Sequence, residues 1–188
     1  MYRWLRNTHL FLGLFSLLFL LMYGVSSVQM AHGQWFNLRP AVRRSQVTVR
    51  GEGARAVARQ LMDTQGLRGE LSQVRQTKNG FNFRIVRPGT VYEVDYVQAT
   101  GQGQIRTNEA NFIGMLNRIH HIEGLWHEFS LLNVWGALVG VVSAALILMA
   151  LTGIYLWFKL HEERLIGAIL LALSLGYSLT LMVLIRIA

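Results

Sequence analysis

Leu131-Leu132-Asn133-Val134-Trp135-Gly136-Ala137-Leu138-Val139-Gly140-Val141-Val142-Ser143-Ala144-Ala145-Leu146-Ile147-Leu148-Met149-Ala150-Leu151-Thr152-Gly153-Ile154-Tyr155-Leu156-Trp157-Phe158 contains no acidic or basic side chain. At about 1.5 Å per helical residue it is long enough to cross about 30 Å of hydrocarbon. Leu10 to Val28 and Leu165 to Ile185 repeat the pattern. Apolar residues gathered into three charge-free runs, rather than spread at helix or strand period, predict an α-helical membrane protein with three transmembrane helices. The opening Met1-Tyr2-Arg3-Trp4-Leu5-Arg6 before an apolar run also fits a secretory signal peptide cut after Ala31. That run exceeds the usual h-region of roughly 7–15 residues, and Gln29 is a poor small residue near such a cut, so it is read as a retained anchor.

The basic residues of short loops set orientation. Arg3 and Arg6 at the N-terminus, and the turn Lys159-Leu160-His161-Glu162-Glu163-Arg164, are therefore expected in the cytoplasm. The block between the first two runs is long enough to be translocated whatever its charge, which places it on the outer side. There Ala54, Val57, Ala58, Leu61 and Met62 share one face of a short helix that ends at Gly66. Alternation follows in Leu71 to Arg75, Phe81 to Val86 and Val91 to Val97. Lys78-Asn79-Gly80 and Pro88-Gly89 between them are hairpin signals. A turn at Ala99-Thr100-Gly101 leads to Gln104-Ile105-Arg106, and Asn111 to Glu128 reads as a helical approach to the second span. One helix on a small antiparallel sheet predicts an extracytoplasmic α+β domain. The expected division is 1–30 as first membrane helix, 31–110 as outer domain, 111–160 as approach and second membrane helix, and 161–188 as third.

The chain has no cysteine, which excludes disulfides, thiolate metal sites, iron–sulfur clusters and covalent c-type haem. Any redox cofactor must then be held by histidine. The net charge of +8 comes mainly from arginines in the middle block and suits anionic head groups or an acidic partner. Nucleic acid is not an expected partner for a block on the outer side. Arg39, Arg43, Arg44 and Arg50 read as a solvated linker. No Ser-His-Asp, Cys-His or HExxH arrangement predicts hydrolysis, and no Gly-rich phosphate loop after a strand predicts a flavin or nicotinamide site. Gly136 and Gly140 form a GxxxG element, and Ala168, Ala172 and Gly176 repeat small residues along the third run. Both suit helix packing within the chain, in a homo-oligomer or against a membrane-protein partner.

All six histidines lie in or beside the apolar runs, where a titratable group is costly unless it snorkels, pairs or binds something. His9 and His161 belong to the cytoplasmic boundary, and His32, His120, His121 and His127 to the outer one. From His9 to His32 a continuous helix rises about 35 Å, roughly one bilayer. Each boundary thus has imidazoles on different helices, as bis-histidine ligation of a b-type haem requires. Arg6 and Arg118 sit three residues before His9 and His121 and can pair haem propionates. Glu123, Glu128 and Glu162 can accept from imidazole N–H groups. Two further readings stand beside haem: interfacial anchoring together with Trp4, Trp35, Trp126 and Trp157, and binding of a simple metal ion.

Three stretches carry a resemblance. They are Asn7-Thr8-His9-Leu10-Phe11-Leu12-Gly13-Leu14, Ile119-His120-His121-Ile122-Glu123-Gly124-Leu125 and Leu151-Thr152-Gly153-Ile154-Tyr155-Leu156-Trp157. With the order of helix, three strands and a Thr-Gly turn, the chain resembles a PepSY domain flanked by PepSY-associated transmembrane helices. Gln98-Ala99 stands where that family usually has an aspartate before the turn, and three spans replace the four of many relatives. The resemblance implies a multi-pass protein of the bacterial inner membrane with a periplasmic middle domain. It further implies haem-bearing reductases that pass electrons outward to iron complexes, with His120 preferred over His121 as ligand. An accessory subunit of a larger complex and a PepSY-type regulatory module are the alternatives.

Overall fold

In chain order the computed structural model, which describes residues 1–159 and 164–187, contains α1 (Tyr2–Ala31), a 3-10 turn (Gly33–Trp35), β1 (Ala41–Thr48), α2 (Ala54–Gln65), β2 (Glu70–Thr77), β3 (Gly80–Arg87), β4 (Thr90–Val97), β5 (Gln102–Glu109), α3 (Phe112–His120), α4 (Ser130–Lys159) and α5 (Arg164–Ile187). The apolar runs lie within α1, α4 and α5, each long and apolar enough to cross a membrane. By compactness the chain falls into two units: Met1–Leu18 with Val141–Ala188, and Phe19–Gly140.

Within the second unit the five strands form one antiparallel sheet in the order β1-β5-β4-β3-β2. The alternating residues of β3, β4 and β5 place Phe83, Ile85, Tyr92, Val94, Tyr96 and Ile105 in the core. They pack with Ala54, Val57, Ala58 and Leu61, the apolar stripe of α2. Burying each large side chain there contributes about 1.5–3 kcal/mol before entropy. The polar residues alternating with them pair across strands, as in Arg84 to Glu93 at 2.9 Å and the Asn82 amide donating to Asp95. Gly66 closes α2 with φ of 66°, the left-handed conformation that glycine enters at no steric cost.

Two elements differ from the sequence reading. β1 runs through Arg43 and Arg44, which were expected in a linker, and pairs with β5 from Ala41↔Glu109 to Thr48↔Gln102. It is an edge strand with all but one residue exposed, so it carries no buried alternation to reveal it. The helical approach ends at His120 instead of reaching Glu128. Gly124, at φ of 84°, lies in the irregular connection that follows. α3 begins at an N-cap, where the Asn111 side chain accepts from the Gly114 N–H at 2.8 Å.

Within the first unit, Gly13 of α1 faces Met149 of α4, where an added Cβ would meet the sulfur at 3.5 Å. Ser16, Val142 and Ala145 are buried there, whereas α5 has no buried residue.

Candidate functional site

Two of the quoted stretches meet at His9. Its Nδ1 lies 3.0 Å from the Thr152 hydroxyl. That hydroxyl donates to the Leu148 carbonyl at 2.8 Å and lies 3.1 Å from the Met149 carbonyl. A threonine has one hydroxyl hydrogen, and here it stays within α4, so the oxygen is assigned as acceptor from His9 Nδ1–H. In the neutral ring this arrangement leaves the lone pair on Nε2. Gly153 explains how the ring fits: a Cβ there would come within 3.2 Å of His9 Cε1. Arg6, expected beside His9, is exposed and reaches Asn7 at 3.4 Å.

A second histidine is held the same way in the other unit. His120, the last residue of α3, brings Nδ1 to 2.6 Å from the hydroxyl of Ser26 on α1. Ser26 donates to the Tyr23 carbonyl at 3.1 Å, so its oxygen is again the acceptor and His120 Nε2 keeps the lone pair. The His120 ring lies 4.3 Å from the Tyr23 ring. Burial, and secondarily the neighbouring His121, lower the pKa of His120 below the usual histidine value. Both causes favour the neutral imidazole that metal ligation requires.

The other histidines have different surroundings. The His121 ring is 5.6 Å from that of His120. His127 has both nitrogens engaged, Nδ1 with Glu70 at 2.8 Å and Nε2 with the Glu123 carbonyl at 2.8 Å. His32 stacks on Trp35 with ring centres 4.1 Å apart. His161 and Glu162 lie outside the described residues. Glu128 pairs with Arg55 at 3.3 Å and holds no imidazole among the described residues. Arg118 and His121 line a cavity of about 570 Å³ with His127 and Glu70. No group of three or more acidic, histidine or cysteine residues is placed to hold a metal ion among the described residues.

Sequence reading missed Thr152, Ser26 and Glu70 as imidazole partners. The signal for the first two is a hydroxyl inside an apolar run, where it must bond a backbone carbonyl or something on another helix. Glu70 carried no such signal.

Comparison with known families matches residues 39–180 to the PepSY-associated TM region. The chain belongs to the PepSY-associated TM family. In this PepSY-associated chain the match takes in the whole sheet, His120 and the Thr152-Gly153 pair, while His9 and Ser26 precede it. Family and apolar helices together point to a membrane protein with lipid-facing helices. No curated protein and no solved structure matches the chain.

Chemically, each hydroxyl-held imidazole has its Nδ1 engaged and, when neutral, offers the lone pair of Nε2. An imidazole oriented through its other N–H is the usual state of a histidine metal ligand. The donor set therefore fits iron ligation at His9 and at His120.

Proposed function

We propose that this PepSY-associated protein is a membrane-bound b-type haem carrier, with iron held by His9 and His120 through Nε2. The observation that carries this reading is the repeated hydroxyl clamp, His9 to Thr152 and His120 to Ser26. When bound, haem would supply one-electron transfer at potentials set by its ligands and their hydrogen bonds. Thr152 and Ser26 would hold ring orientation and tautomer, and raise ligand basicity, by accepting a hydrogen bond from Nδ1–H. Gly153 leaves room for the ring, and the apolar helices exclude water. His161 for His9, and His32 for His120, would complete the proposed ligand sets, with His127 kept by Glu70.

The proposed orientation has Arg3, Arg6, Lys159 and Arg164 in the cytoplasm, and the sheet domain on the periplasmic side of a bacterial inner membrane. Electrons would then pass outward, and the donor would be a quinol or another protein. The test is a pyridine haemochrome assay on protein purified after expression with a haem precursor. About one or two b-type haems per chain supports the reading, as one or both imidazole clamps are filled, and protein without haem refutes it.

A second reading, an accessory subunit, rests on α5. It buries none of its residues within the chain, and a Cβ on Gly176 would meet nothing within 4 Å. That face is open to lipid or to a partner helix. Purification in mild detergent as a colourless, stoichiometric assembly with another membrane protein supports it.

A further inference from the structure

The cavity of about 570 Å³ near His121 adjoins a second of about 300 Å³, the two sharing Arg87, Pro88, Ile122 and Leu132 as lining residues. The first is lined by Arg87 and Arg118, the second by Phe129, Leu131 and Trp135 at the start of α4. Three buried donors lining them have no hydrogen-bond partner among the described residues: Arg87 Nε, Arg118 Nη1 and Trp135 Nε1. All three are N–H groups, so the missing partner is an acceptor. Two belong to guanidinium groups, for which an anion is the strongest acceptor. Leaving such donors buried and unpaired costs more than leaving neutral ones, so a ligand that satisfies them gains in proportion.

The nearby carboxylates do not fill this role. Glu70 spends one oxygen on His127 at 2.8 Å and the other on the Glu128 N–H at 3.1 Å. Glu123 lines the first cavity but is exposed and makes no ion pair among the described residues. Both guanidinium groups therefore line the first cavity, and the second is mostly apolar beside the first turns of a helix apolar enough to enter a membrane. Basic pockets at such helix ends suit lipid head groups.

We propose that the adjoining cavities bind one anionic phospholipid. Its phosphate sits against Arg87 and Arg118, an ester carbonyl accepts from Trp135 Nε1, and an acyl chain runs past Leu131 and Leu132. The chemistry shared with other sources is an acidic oxygen cluster, as in inorganic phosphate or a haem propionate, and the test separates these.

The full-length protein is placed in phosphatidylcholine nanodiscs doped with phosphatidylglycerol carrying brominated acyl chains, and tryptophan emission is read. Brominated phosphatidylcholine at the same mole fraction is the control, and the Soret absorbance is recorded alongside. Half-maximal quenching is expected at a mole fraction about tenfold lower for the anionic lipid, equivalent to about 1.4 kcal/mol of preference. Trp135→Phe should remove most of the anion-specific component, and Arg87→Gln with Arg118→Gln should bring the two curves together. Should the double variant not fold, Arg118→Lys and native mass spectrometry of the unaltered protein serve instead. The lysine should keep part of the preference, and the unaltered protein should retain one anionic phospholipid per chain. Equal quenching by both lipids overturns the proposal, as does unaltered protein without a retained anionic lipid. Loss of the preference in millimolar inorganic phosphate overturns the lipid assignment in favour of a free anion. A preference that tracks haem content overturns it in favour of a propionate.

Discussion

His9 on α1 and Thr152 on α4 are 143 positions apart in sequence, and the histidine Nδ1 lies 3.0 Å from the threonine hydroxyl. With the threonine hydrogen directed to the Leu148 carbonyl of its own helix, the hydroxyl oxygen is left to accept from the histidine, and the pair fixes the position of the ring.

Thr152→Val removes the acceptor while keeping the shape. The imidazole then loses its orientation, and the expected result is about 10- to 100-fold weaker haem retention at His9, the usual cost of losing a ligand-orienting partner. Thr152→Ser should restore most of it. Haem titration of the two variants checks the pair.

Ser26→Ala acts on His120 in the same way and should leave the His9 site unchanged. A single serine hydroxyl carries the His120 contact at 2.6 Å. The check is a redox titration, in which one component should shift or vanish while the other keeps its midpoint.

Gly153→Val places branched carbon where a single Cβ already comes within 3.2 Å of the His9 ring. The ring must move, and overpacking of this kind costs about 1–3 kcal/mol. Thermal unfolding in detergent should show a lower midpoint. Gly24→Ala, where a Cβ would meet nothing within 4 Å, should be close to neutral.

Phe83→Ala empties a position with no exposed surface between the sheet and α2. It should destabilise the sheet domain by about 3–5 kcal/mol. Limited proteolysis should then cut the middle of the chain while α1 and α4 remain protected by detergent.

Because the chain lacks cysteine, orientation can be read by adding one. Gln76→Cys in the intact cell should react with a membrane-impermeant maleimide, and Arg3→Cys should react only after the membrane is opened. The reverse pattern would place the sheet domain in the cytoplasm.

The long helices were legible because charge-free runs announce themselves whatever surrounds them. The same holds for α2 and for β3 and β4, where Phe83, Ile85, Val94 and Tyr96 face one core at their own period. β1 was not legible because its eight residues have no buried face, and only the register with β5 makes it a strand. At the site the histidines themselves stood out, but their partners did not. Contacts such as Ser26 to His120, 94 positions apart, depend on how helices meet, which no local pattern encodes. His127 shows the same limit, since its carboxylate partner is Glu70 of β2 and not one of the nearby acidic side chains considered beforehand.

The most direct test is a dithionite-reduced minus oxidised spectrum of the purified protein, recorded beside His9→Ala and His120→Ala. Sharp b-type bands are expected in the unaltered protein, with a separate fraction of them missing from each variant. Spectra without haem bands, or bands that survive both substitutions at full strength, would contradict haem ligation by these two histidines.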